Sequence, residues 1–221
     1  MSGKAYKYVV ILSGVICTYV FIKALFFTQA RPVRTDVIQG VLVGFGLALA
    51  MAQITAERKT SNINGWTTMY RLGSPDNGML MRAACALAFP GPVNAAEEAM
   101  YWKTSVDGAR RELTGECDYI MHFPAGGLPP NSAFWSLTMG DDSNRFVENA
   151  INRYSVSDRS GLAPNDDGSV DIYIQKAAPA GRESNWLPAP SGKFILWLRV
   201  YLPGTAILEG QYNVPAVREL K

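Results

Sequence analysis

The chain has 221 residues and a formal net charge of only +2, which gives no footprint for nucleic acid or for a strongly acidic substrate. The charge is unevenly placed. Residues 1–54 carry Lys4, Lys7, Lys23, Arg31 and Arg34 against Asp36, while the remainder carries 16 basic and 18 acidic residues. The basic excess therefore lies within an apolar N-terminal stretch, and the rest is close to neutral.

Tyr8 to Phe27 is a 20-residue apolar run interrupted only by Lys23. At 1.5 Å per residue it spans about 30 Å, the thickness of a hydrocarbon core. Lys23 is near enough to the end to reach the headgroups, and Tyr6, Tyr8, Phe26 and Phe27 stand where interfacial aromatics belong. A cleaved signal peptide is the competing reading, but the run is long and no Ala-x-Ala site follows. Val37 to Ile54 is uncharged over 18 residues, preceded by Arg31, Pro32 and Arg34 and followed by Glu57, Arg58 and Lys59. The pair predicts a transmembrane helical hairpin with a basic turn; a buried or interfacial second helix is the alternative. Gly40 with Gly44, and Gly46 with Ala50, place small residues four apart, suited to close approach of another helix. That helix is either the first segment or part of another membrane-protein subunit. The flanking charges slightly favour a cytoplasmic globular part.

Residues 57–78 are polar and turn-rich and read as a linker between an anchor over 1–56 and a globular domain over 79–221. Met79 to Phe89 has helical composition and stops at Pro90-Gly91-Pro92. Asn94 is a candidate cap for a short helix over Ala95–Trp102, with Glu97 and Glu98 in its first turn. Beyond it, the stretches 119–123, 133–139, 154–156, 170–174 and 194–202 are rich in β-branched and aromatic residues and bounded by Pro, Gly, Asn and Asp. Val170, Ile172 and Ile174 alternate with Asp171 and Tyr173, as in a strand with one wet face. The fold class expected is mainly β: a jelly-roll-like β-sandwich with a few short helices, preceded by the helical hairpin.

No catalytic set stands out. His122 is the only histidine and reads first as structural; a lone histidine excludes multi-histidine metal sites. The Gly-Pro loop 123–130 lacks the features of a phosphate loop and reads as a stiff connection or a ligand-facing rim. Residues 165–171 contain clustered acidic groups, but Asp167-Gly168 before an alternating strand reads as a turn rather than a calcium loop. Asn152, Arg153, Tyr154, Asp158 and Arg159 form the densest polar cluster, suited to fixing a loop or to binding a carboxylate or sugar. Trp135 and Trp197 read as core, whereas Trp186 is a candidate contact. No Gly-x-Ser-x-Gly occurs, and nothing singles out a carboxylate pair. Of the three cysteines, Cys17 lies in the first apolar run; Cys85 and Cys117 are buried thiols or a single disulfide. No cofactor or metal is indicated.

The stretch 119–139 (YIMHFPAGGLPPNSAFWSLTM), Ile151 to Ser155 with Asp158 and Arg159, Asp167 to Ser169, Ile172 to Gln175, and Asn185 to Pro190 resemble, in order and spacing, the domain of unknown function family numbered 1214. The resemblance covers about 66–220. It implies a jelly-roll fold, often joined to a larger domain of unknown function numbered 1254, and an exported or envelope location. This reverses the charge argument, so the β domain is expected outside the cytoplasm, on the inner membrane if the source is bacterial. The family supplies no reaction. The expected function is a non-catalytic accessory or structural subunit of a membrane-protein assembly, with the lipid bilayer and other subunits as partners. The alternative is a tethered module binding a small polar ligand such as a carbohydrate; a carboxylate-based hydrolase or lyase ranks third.

Overall fold

The computed structural model describes residues 14–16, 18–20, 22–23 and 33–220. Most of the first apolar segment, Cys17 included, lies outside the described residues; those described within it are helical. The chain divides into a helical unit, residues 1–59 and 77–91, and a β unit, residues 60–76 and 92–221.

In the helical unit, α1 (Val33–Lys59) packs against α2 (Met79–Ala88). Asp36 in the first turn and Arg58 and Lys59 in the last complement the helix dipole. Asp36–Lys59 is long and apolar enough to cross a bilayer: 24 residues rise about 36 Å. α1 extends past the expected end at Ile54 to Lys59, and the Gln53 side chain donates to Glu57 one turn on (3.0 Å). Gly46, Ala52 and Ala56 are buried. Gly40 and Gly44 are exposed, with open space where a Cβ would stand, so the two small-residue pairs have different surroundings.

The β unit is a sandwich of a six-stranded and a four-stranded sheet, ten strands in all. The larger runs β1 (Ser61–Ile63), β2 (Trp66–Thr68), β3 (Ala99–Thr104), β9 (Phe194–Pro203), β5 (Asn131–Asp141), β6 (Ser155–Ser157), antiparallel throughout. The smaller runs β10 (Val217–Glu219), β4 (Tyr119–Phe123), β7 (Val170–Gln175), β8 (Trp186–Pro188). β8 joins β7 in parallel, a departure from an all-antiparallel jelly roll. A short α3 (Thr205–Leu208) follows β9, and one 3₁₀ turn, Glu183–Asn185, precedes β8.

Side-chain alternation explains the layering. In β9, Leu196, Leu198 and Val200 point inward at 0% exposure, and Ile195, Arg199 and Tyr201 point outward. Trp135, Leu137 and Met139 from β5 meet Met121 and Phe123 from β4 and Ile172 and Ile174 from β7 in one core. The Phe123 and Trp135 rings, 5.7 Å apart, join the two sheets directly.

Two expectations are corrected. The 57–78 stretch is not all linker: Asn64 (φ 55°) and Gly65 (φ 86°) make the tight turn between β1 and β2, and Trp66 is 1% exposed in the core. Ala95–Trp102 is not a helix. Ala95–Glu98 is a turn, and Ala99–Thr104 is a strand paired along its whole length with β9. Its helix-favouring Ala and Met lose to cross-strand pairing, and burial of both faces at 99–102 removes the alternation that marks a strand. Cys85 and Cys117 are free thiols.

Candidate functional site

The candidate contact residues fall into three places. The first is the outer face of the four-stranded sheet. His122 stands opposite Asp171 across β4 and β7, and its Nδ1 lies 2.6 Å from Asp171 Oδ1. Asp171 Oδ2 accepts from Asn165 Nδ2 (2.9 Å), which also reaches Ser169 Oγ (2.9 Å). Ser169 Oγ donates to Asp167 Oδ1 (2.6 Å); this hydroxyl, helped by the Ser169 amide, holds the Asp167 carboxyl below its ordinary value. Tyr173, two residues along β7, pairs with Ile120 on one side and Trp186 on the other. The half-exposed Trp186 donates from Nε1 to Gln175 O (2.8 Å).

The second place is the loop leading into β6. Arg153 donates to the carbonyls of Glu183 (2.6 Å) and Trp186 (2.9 Å), and Asn149 closes on the Arg153 backbone in both directions. Arg153 is thus spent fixing the chain before β8. Asn152 takes φ 51° in an exposed turn, and the Tyr154 ring lies 5.6 Å from that of Phe146. Asn185, which sequence reasoning did not single out, is fully buried. Its amide donates to the carbonyls of Ala163 and Asp171 and accepts from Ala163 N and Ser184 Oγ, all at 2.7–2.8 Å. A side chain satisfied on every side orders a connection and leaves nothing for a ligand.

The third is the outer face of the six-stranded sheet, where Arg159 donates to Ala133 O (3.0 Å) and stacks 4.6 Å over Phe134. Phe134 in turn stacks on Tyr201 (4.4 Å, 18°). Asp158 is exposed, and its carboxylate makes no hydrogen bond or ion pair among the described residues. The 123–130 loop is clamped rather than open: Gly127 N donates to Pro124 O, and Tyr212 Oη donates to Gly127 O (3.1 Å). Burial pushes the Tyr212 phenol well up, so it stays protonated as that donor.

One cavity of ≈ 400 Å³, lined by Asp107, Arg111 and Glu219 among others, does bring two carboxylates together. Both are committed to Arg111, at 2.6 Å from Asp107 and 2.6 Å from Glu219. Asp107 Oδ1 also accepts the Ala109 and Arg111 amides. Burial raises the Asp107 carboxyl, but the Arg111 amide and guanidinium outweigh it and hold the group below its ordinary value. The Cys117 thiol is raised, first by its hydrogen bond to Glu219. A pair locked on an arginine has no carboxyl poised as a proton donor, so Asp107 and Glu219 are not set up as an acid–base pair.

The fold and these faces define a two-sheet β-sandwich linked to an apolar helix. Residues 98–205 match the family model described as "Protein of unknown function (DUF1214)". This places the family resemblance on β3 through the start of α3, a narrower span than 66–220. The crystal structure of the VPA0106 protein from Vibrio parahaemolyticus is similar at TM-score 0.63 and 27% identity, over 89% of this chain and 47% of that one. That coverage exceeds what the β unit alone supplies, so the likeness runs into the helical unit. The chain spans about half the length of that relative. A crystal structure of an uncharacterized protein from Burkholderia cenocepacia aligns at TM-score 0.43 and 15% identity, over 94% of this chain and 48% of that one. No curated protein matches.

Proposed function

We propose that this protein is a membrane-anchored, non-catalytic accessory subunit, held by its N-terminal helices and contributing its β-sandwich to a larger assembly. The observation that carries this reading is the surface of α1: Val37, Val41, Phe45, Leu47 and Met51 are 55–65% exposed on an apolar helix of membrane-spanning length. Such a surface is stable only against lipid tails or another protein. The partner this reading favours is another membrane-protein subunit that covers the apolar surface of α1. The β unit belongs outside the cytoplasm, and the exposed Gly40–Gly44 face of α1 receives a neighbouring helix. Extraction from the native membrane in mild detergent, with mass spectrometry of what stays bound in fixed ratio, tests it. A stoichiometric membrane-protein partner is expected; a monodisperse lone protein overturns the subunit reading.

A second reading is favoured by one feature, the outer face of the four-stranded sheet. His122, Tyr173 and Trp186 lie on that one face, an arrangement of ring surface and polar edge suited to a neutral sugar. A thermal-shift series with neutral mono- and disaccharides tests it; a flat response counts against it.

A further inference from the structure

The outer face of the six-stranded sheet carries an arginine that neither reading uses. Arg199 projects from β9 between Tyr101 of β3 and Ser136 of β5. Its Nη1 donates to Thr138 Oγ1 (3.0 Å), and its guanidinium carbon lies 5.4 Å from the centre of the Trp197 ring. No carboxylate or carbonyl pairs with it among the described residues, in contrast to Arg111, Arg145 and Arg153, each held by a carboxylate or by two carbonyls. A half-buried guanidinium with one hydroxyl partner keeps most of its five donors available.

Arg199 lines a cavity of ≈ 320 Å³ together with Thr138, Met139, Gly140, Asn144, Arg145, Phe146 and Trp197. The turn after β5 builds its rim. Asp141 Oδ1 accepts the Ser143 and Arg145 amides, and Asp141 Oδ2 takes the Arg145 guanidinium (2.9 Å), so the charge of Arg145 is already neutralised. Asn144, at φ 62°, accepts the Trp197 indole N–H and fixes the ring as one wall. Phe146 stands at the rim, 70% exposed, an unusual position for an aromatic ring. The lining therefore sets the Trp197 and Phe146 rings beside the polar side chains of Thr138 and Asn144 and the Arg199 charge, which no carboxylate pairs among the described residues, with a second cation, Lys103, 5.7 Å from the centre of the same indole. Inorganic phosphate, with higher charge and no apolar body, matches this lining less well than a carboxylate carried on a ring or short hydrocarbon.

We propose that this cavity binds a small carboxylate with an apolar body, its oxygens on the Arg199 guanidinium and its body between Trp197 and Phe146. The site lies apart from the His122–Trp186 face and does not depend on the subunit reading.

The test uses the full chain in detergent micelles or nanodiscs, with benzoate and phenylacetate as probes, benzyl alcohol as the uncharged control and inorganic phosphate as the competing anion. Ligand-observed NMR and a thermal-shift titration give affinities. Benzoate or phenylacetate is expected to bind, and benzyl alcohol at least about tenfold more weakly, as loss of a charge-assisted bond requires. Arg199→Met weakens the carboxylate by about tenfold or more. Phe146→Ser, at an exposed position that leaves the fold intact, weakens it about threefold to tenfold and serves alone if Arg199→Met does not fold. Arg159→Gln, outside the cavity, leaves it unchanged. Absence of carboxylate binding up to about 10 mM, equal binding in the Arg199→Met and Phe146→Ser proteins, or binding of phosphate in preference to both carboxylates overturns the assignment.

Discussion

The two units bury their apolar residues to different degrees. In the β unit Leu137, Leu198, Ile172 and Ile174 are at 0% exposure and every long strand is paired. In α1, Val41 and Phe45 remain 65% and 64% exposed. The first has a core of its own, so its fold is explained by its own residues. The second leaves about 1.5–3 kcal/mol per large side chain uncollected, which only an apolar environment supplies. The contrast teaches where to look next: the sandwich accounts for its own apolar residues, whereas those on α1 are left exposed.

The contrast is broken most forcefully from the inside. Trp135, 1% exposed and against Phe123, ties the sheets together. Trp135→Ala is expected to cost about 3–5 kcal/mol, read as a lowered urea midpoint for the β unit. A loss under about 1 kcal/mol would mean that the two sheets are not held by this core. On the other side, Val41→Lys with Phe45→Lys places two charges mid-helix at a cost of about 2.5–3.5 kcal/mol each if α1 crosses a bilayer. Resistance to alkaline carbonate extraction is expected to fall sharply, with the β unit still folded by circular dichroism. Unchanged extraction would mean that α1 does not rest in lipid.

A smaller effect separates the units by pH. The Asp107 carboxyl is held below its ordinary value, as are Asp141, chiefly by the Arg145 amide, and Asp167. A carboxyl with a lower folded than unfolded value binds fewer protons when folded. Its stabilisation is therefore complete above the unfolded value near about 4 and fades as pH falls through the folded one. Thermal midpoints of the β unit are expected to drop below about pH 4, with a shallower drop in Asp107→Asn. At neutral pH that substitution costs about 1–2 kcal/mol, since Arg111 is largely exposed.

Legibility in the sequence followed the pattern of burial. β7 was readable because Val170, Ile172 and Ile174 face the core while Asp171 and Tyr173 face out. β3 was not, because residues 99–102 are buried on both faces and show no period. β1 and β2, three residues each, carry too little pattern, although Asn64-Gly65 is a strong hairpin signal when weighed as a turn type rather than as loop composition. The β10 and β8 strands are equally short, so Trp186 was legible as a candidate contact but its strand was not. For the sites, the polar cluster 152–159 was visible as local composition, but its members diverge: Arg153 serves the β8 approach, and Arg159 serves Phe134 on the other sheet. The Arg199 cavity had no local signature at all. Its lining comes from β5, the turn after it and β9, which only the β5–β9 register brings together.

The smallest effect sharpens the same contrast between exposed and enclosed within a single residue. Asp171 reaches outward through its carboxylate to His122, whose side chain is 48% exposed, and inward through its carbonyl to the fully buried Asn185. Water competes for the first contact and not for the second. His122→Ala is therefore expected to change stability by about 1 kcal/mol or less, whereas Asn185→Ala strands the Ala163 amide and two carbonyls and costs about 2–4 kcal/mol. Urea denaturation of both variants decides it. If His122→Ala proved as costly as Asn185→Ala, the histidine would be an enclosed strut, and the outer face of the four-stranded sheet would have to be covered in the assembled protein.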